Sequence, residues 1–248
     1  MRMTIQFVLA ITFAIAVLIF AMTMRTDQEI GRKTDTVHVV LIGASIGQGW
    51  HLAEWPDRAK ASGFTAESIP AWQFDKTAVV DEVLMRPSRK FRPTRTYLKS
   101  LLQPPPRKPN IVILKECSSY FPGDLAVYER SVQAWVSRLQ AKQIKVILAT
   151  VVPVTRVRSE QSPGKQESLL KYNEWVRQYA QRHDIMLLDL DSALRTDSGN
   201  YLRDEFATSD GSHLNAAAYA KLDDVLRKTL CGASDPCVTG APAMAVAH

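Results

Sequence analysis

The chain has 248 residues, of which 46% are apolar and 23% charged, with a formal net charge of +6. That composition excludes an intrinsically disordered chain. It leaves roughly 220 residues past an atypical N-terminus, enough for one large domain or at most two small ones. Five histidines (His38, His51, His183, His213 and His248) show no metal-ligand spacing and no Cys/His cluster exists, so no metal or cofactor is implied.

Thr4 to Met24 is almost wholly apolar, with Arg2 before it and Arg25 after it. A run of about 20 such residues spans a hydrocarbon core as a helix. Residues 1–25 therefore read as a signal anchor, with a cleaved signal peptide as the alternative. Positive charge lies on both sides, so it does not fix orientation. Residues 26–36 form a polar linker. The expected location is extracytoplasmic and membrane-anchored (periplasmic or cell-surface), or secreted if the segment is cleaved.

The domain proper is expected over residues 37–232, with a tail over 233–248. It opens with a β-branched run, Val37 to Ile42, of the kind that forms a strand buried on both faces. Phe64 to Ile69 is a weaker strand candidate. From Val83 to Lys115 there is no acidic residue, and Arg89, Lys90 and Arg92 are among nine cations there. Such a run either contacts an anionic glycan or lipid surface or is a solvated basic face. Its aromatics are only Phe91 and Tyr97, which excludes a base-stacking nucleic-acid groove.

Leu102 to Pro109 breaks helix and leads into a second clear strand, Ile111 to Leu114. Tyr128, Val132, Trp135, Val136 and Leu139 recur at helical spacing behind a Gly123-Asp124 cap signal. A third strand is expected over Lys145 to Val152. A helical stripe follows at Leu169, Tyr172, Val176 and Tyr179, then a strand at Ile185 to Asp189. The last helix carries Tyr219, Leu222, Leu226 and Leu230 and stops at Gly232. Strands alternating with helices predict a mainly parallel sheet covered on both faces, with chemistry at the carboxyl ends of its strands. Cys231 and Cys237 bracket a short loop, either as a disulfide or as two free thiols. Cys117 is left over at a strand end, and reads as a core cysteine rather than a nucleophile.

Two polar sites sit where that architecture calls for them. The first strand runs into Gly43-Ala44-Ser45-Ile46-Gly47, where small residues permit a sharp strand-to-helix turn that exposes a serine hydroxyl. Near the other end, Asp210 precedes His213 by three residues in a polar loop, and Asn215 caps the helix that follows. A carboxylate so placed holds imidazole Nδ1–H and leaves Nε2 to accept a serine proton.

Together, Gly-x-Ser on the first strand and Asp-x-x-His-Leu-Asn before a C-terminal helix resemble the SGNH (GDSL-type) hydrolases over nearly the whole domain. The resemblance implies a single three-layer α/β/α domain with a central, mainly parallel sheet. It also implies a Ser45–His213–Asp210 triad and an acyl-enzyme. The order argues against an α/β-hydrolase, in which acid and histidine occupy separate loops. Ala44 stands where the family has aspartate, and no glycine lies between Gly63 and Gly123 to supply the family's oxyanion amide. The substitute there is Ala71 or Trp72, and Ser119 replaces the family's asparagine. The expected activity is a serine esterase on an ester-bearing small molecule, lipid or glycan. The alternatives are an O-acyltransferase or deacetylase of envelope polysaccharide, and a catalytically silent binding domain. Lys115 and Glu116 are expected to line the cleft or to pair at its rim.

Overall fold

The structure, a computed structural model, describes residues 36–72, 74–88, 106–197 and 199–232. Contacts divide the chain at the Thr36–Val37 junction, and the fold described is that of the unit beginning at Val37. The apolar N-terminal segment, Arg89, Lys90, Arg92, Cys237 and the tail lie outside the described residues. Among those described, no helix is long and apolar enough to cross a membrane.

Five strands, β1 (Val37–Gly43), β2 (Phe64–Pro70), β3 (Ile111–Lys115), β4 (Lys145–Ala149) and β5 (Met186–Leu188), form one sheet in the order β2-β1-β3-β4-β5. Every pairing is parallel. The helices are α1 (Ser45–Gly49), α2 (Trp55–Arg58), α3 (Lys76–Met85), α4 (Leu125–Ala141), α5 (Arg156–Glu160), α6 (Lys165–Arg182), α7 (Leu190–Leu194) and α8 (Ala216–Cys231). Period-two alternation along each strand separates two cores. Val39, Leu41, Ile111, Ile113 and Ile147 meet Ile46, Trp50, Leu222 and Leu226 on one face. Val40, Ile42, Val112, Leu114, Val146 and Leu148 meet Val80, Val132, Trp135, Leu139 and Val176 on the other. This is the three-layer α/β/α architecture expected, because every strand must bury both faces.

The helix ends follow the signals in the chain. Asp124 accepts the Val127 amide at 3.2 Å to start α4, and Asn215 accepts the Ala218 amide at 3.1 Å to start α8. Asp223 on α8 takes Trp50 Nε1 at 2.7 Å and Arg58 Nε at 2.7 Å, fixing α8 to the segment after β1. The third expected strand ends three residues early. Thr150, Val151 and Val152 are buried, but the Asn173 amide clasps Val151 through its backbone N–H at 2.7 Å and its carbonyl at 2.8 Å.

In this order the chain leaves β1 for β2 on one side and reaches β3 on the other. That reversal opens a crevice at the carboxyl edge beside β1, where ligands bind in open α/β sheets. Ser45 follows β1 directly at that crevice.

Candidate active site

Ser45 is the first residue of α1, behind a buried Ala44, and is itself part-buried. The turn is tight because a Cβ on Gly47 would come within 2.6 Å of Leu41 Cδ2, so α1 can fold down on β1 only with glycine there. Gly43 and Gly47 thus serve the packing of the strand-to-helix turn that carries Ser45.

The Asp210–His213 loop is organised by one carboxylate. Asp210 Oδ1 accepts the Ser212 amide at 2.8 Å, the His213 amide at 2.9 Å and the Thr208 hydroxyl at 2.9 Å, while Oδ2 accepts His213 Nδ1–H. Partial burial pushes the Asp210 carboxyl up, but the four donors outweigh it and hold the group well below the usual carboxylate range. Gly211 lies at φ 68°, and a Cβ there would run into Thr155 Oγ1. The Thr155 amide donates to Gly211 O at 2.9 Å, so the loop is docked on the segment leaving β4. Leu214 is buried below it, which leaves the His213 ring half exposed with Nε2 uncommitted. The structure therefore joins Asp210 to His213 directly, whereas no hydrogen bond links Ser45 to His213.

Of the oxyanion candidates, Ala71 is excluded because its amide donates to Gly43 O at 2.9 Å and extends the sheet. Trp72 keeps its amide free of backbone acceptors among the described residues, and its carbonyl takes the Asp75 and Lys76 amides, each at 3.0 Å. Ser119 is exposed, and its hydroxyl donates to Cys117 Sγ at 3.1 Å. Cys117 is a free, buried thiol, whereas Cys231, also buried, does not titrate because it is disulfide-bonded.

Lys115 and Glu116 do not form a rim pair. Both are buried, and Glu116 instead pairs with Lys76 at 2.8 Å, the two side chains being 5% and 0% exposed. Lys76 Nζ also donates to Lys115 O at 2.8 Å, and Lys115 Nζ donates to Glu116 O at 2.9 Å. Burial pushes the Lys115 ammonium down to about 8. Nothing in the sequence pattern marks Lys76. Its backbone holds Trp72 and its side chain holds the end of β3, so it ties together the two segments that carry Trp72 and Ser119. The ends of the basic run are likewise internal. Arg86 is buried and bonded to Glu67, with Glu82 at 3.4 Å.

A second polar cluster closes the far side. Arg177 bridges Asp189 at 2.9 Å and the fully buried Asp191 at 2.5 Å, tying α6 to the end of β5. Among the described residues no group of His, Cys, Asp and Glu could hold a metal ion.

Residues 41–221 match the family model of the GDSL-like lipase/acylhydrolase family. Among solved structures, a putative acylhydrolase from Bacteroides fragilis superposes with a TM-score of 0.57 at 20% identity, covering 79% of this chain and 86% of that one. A GDSL-like lipase from Bacteroides thetaiotaomicron gives 0.56 at 18% identity, covering 83% and 95%. An acetyl xylan esterase gives 0.54 at 20% identity, covering 77% and 98%. At such identities the likeness carries the fold alone. No curated protein matches the chain. The family model spans most of the domain, from β1 into α8, and takes in both Ser45 and the Asp210–His213 loop; the chain belongs to the GDSL-like lipase/acylhydrolase family.

Proposed function

We propose that the protein is a serine esterase that cleaves carboxylic esters through Ser45, His213 and Asp210. The observation that carries this is the Asp210–His213 pair, which orients the imidazole and leaves Nε2 without a hydrogen-bond partner among the described residues. Ser45 Oγ adds to the ester carbonyl as His213 Nε2 takes its proton. The imidazolium then gives that proton to the leaving alcohol, and the Ser45 acyl-enzyme forms. Water repeats the sequence and releases the acid. Asp210, anionic well below neutral pH, orients the ring and stabilises its charged form.

The Ser45 amide, the Trp72 amide and the Ser119 hydroxyl are the donors available to the oxyanion. Each such donor is worth about 3–4 kcal/mol in the transition state. Ser119 must turn from Cys117 to contribute, and apo hydrogen bonds of this kind commonly tighten only with substrate bound.

The apolar Thr4–Met24 segment supports an extracytoplasmic, membrane-anchored location. Half-exposed Trp72 and exposed Phe74 at the same edge support a carbohydrate ester as acyl donor, because sugar faces stack on aromatic rings. The acetyl xylan esterase among the solved relatives acts on an ester of that kind. The test is labelling with a fluorophosphonate probe, alongside turnover of short acyl esters. Wild type should label and hydrolyse, whereas Ser45→Ala and His213→Ala should do neither. A wild-type protein that neither labels nor hydrolyses is a binding domain, and acyl transfer to added glycan in place of hydrolysis identifies a transferase.

A further inference from the structure

Each half of the Ser45–His213 pair stands at the head of a helix, and those two helices touch. Ser45 is the first residue of α1, and His213 lies just before Asn215, the N-cap of α8. Their neighbours Ile46 and Leu214 are buried in the same apolar core. The separation of serine and imidazole is therefore set by how α1 lies against α8.

That contact is polar and closely fitted. Tyr219 and Asp223, one turn apart, share a face of α8. The Tyr219 hydroxyl lies against the end of α1, where a Cβ on Gly49 would come within 2.4 Å of it. One turn further along α8, Asp223 Oδ1 accepts Trp50 Nε1 at 2.7 Å and Arg58 Nη2 at 3.0 Å, and Oδ2 accepts Arg58 Nε at 2.7 Å. Asp223 O takes Trp55 Nε1 at 3.3 Å. Trp50 is the C-cap of α1 and only 1% exposed, so its indole N–H has to find an acceptor inside the protein. Arg58 then returns to the same helix end. It donates to Trp50 O at 3.0 Å and to His51 O at 3.2 Å, where the chain turns at φ 47°.

Apolar contacts alone let one helix slide on another, whereas a carboxylate with three directed donors fixes register and distance together. Helix α1 has only five residues, so a displacement at its Trp50 end is carried through to Ser45. We propose that Asp223 is a positioning residue of the active site: by clamping the Trp50 end of α1 to α8, it sets the approach of Ser45 Oγ to His213 Nε2. This rests on the serine esterase reading, which supplies the proton transfer that needs such an approach.

Asp223→Ala tests it on the full-length chain, assayed with 4-nitrophenyl acetate well below the variant's thermal midpoint. A displacement of about 1 Å between reacting groups costs on the order of 100-fold, so kcat should fall about 10- to 100-fold while KM stays within about twofold of wild type. Asp223→Asn keeps an oxygen for Trp50 Nε1 and should recover part of the rate. A residue that only stabilises the fold would lower the urea midpoint and leave the kcat of the folded protein unchanged, and that result overturns the proposal. If Asp223→Ala does not fold, Trp50→Phe, which deletes one of the three donors, is read in the same way. A second measurement needs no ester. The double variant Ser45→Cys/His213→Cys should be bridged by dibromobimane, and more slowly once Asp223→Ala or Trp50→Phe is added. Each single cysteine variant gives the background from Cys117. No bridge, or one formed equally fast with and without the added substitution, overturns the proposal. If wild type turns over no ester, the esterase reading falls by itself and the bridging rates decide this one.

Discussion

Replacing Lys76 with methionine removes the cation of a buried pair and keeps most of the side chain's volume. Glu116 would be left with a side chain only 5% exposed and without its ion-pair partner, and Lys115 O would lose its 2.8 Å donor. Breaking a buried pair from one side costs about 3–5 kcal/mol, because an uncompensated charge stays in the interior. The double variant Lys76→Met/Glu116→Gln removes that charge, so it should recover a substantial part of the loss. Urea denaturation gives both numbers, with an unchanged m-value showing that only stability has moved. Activity should fall with the single variant, since Lys76 positions the Trp72 and Ser119 segments together. A single variant within about 1 kcal/mol of wild type, or a double variant as unstable as the sum of its singles, would show that the pair does not act as a unit.

The same geometry leads to three more expected outcomes. Asp210→Asn keeps an oxygen for the Thr208, Ser212 and His213 donors but sets an amide against Nδ1, so kcat should fall by as much as about 10⁴-fold. Its acid unfolding should also flatten: a carboxylate held low in the folded state contributes stability above the unfolded pKa, about 3.9, and loses it as pH falls. Urea midpoints from pH 2 to 6 would show it. Gly211→Ala places a methyl on Thr155 Oγ1 at φ 68°, and should lower both ester turnover and thermal midpoint, with Thr155→Ala restoring only the steric part. Lys115, held down to about 8 by burial, destabilises the fold while protonated, and this penalty is relieved as pH rises towards its unfolded pKa of about 10.4. Wild type should therefore gain stability from pH 8 to 10 relative to Lys115→Met. Equal slopes in urea melts would refute that.

The sheet was legible because β1, β3 and β4 are short runs rich in β-branched residues, and the helices α4 and α8 because their apolar stripes begin at Asp124 and Asn215 caps. The Asp210–His213 contact was legible for the same local reason, since three residues in one loop set it. What the pattern hid is long-range and polar. Thr150 to Val152 look like strand, but their partner is a side chain on α6, Asn173, 22 residues away from Val151. Lys76 reads as an ordinary helix-start lysine, and Lys115 and Glu116 as a charged strand end. Only the approach of α3 to β3 turns them into an interior pair. Whether an amide near Trp72 is free depends on Ala71 joining the sheet at Gly43, a register that composition does not encode.

Helix α6 also sets how still the catalytic histidine can stand. Along one rod of 18 residues, Gln166 grips Asn200 O, Asn173 clasps Val151, and Arg177 holds Asp189 and Asp191. The stretch clasped by Asn173 leads within four residues to Thr155, whose amide holds Gly211. His213 is thus an exposed ring on a surface loop whose coordinates are inherited, through three hydrogen-bonded steps, from a core helix. Its positional scatter should track that of α6 rather than that of the loops around it.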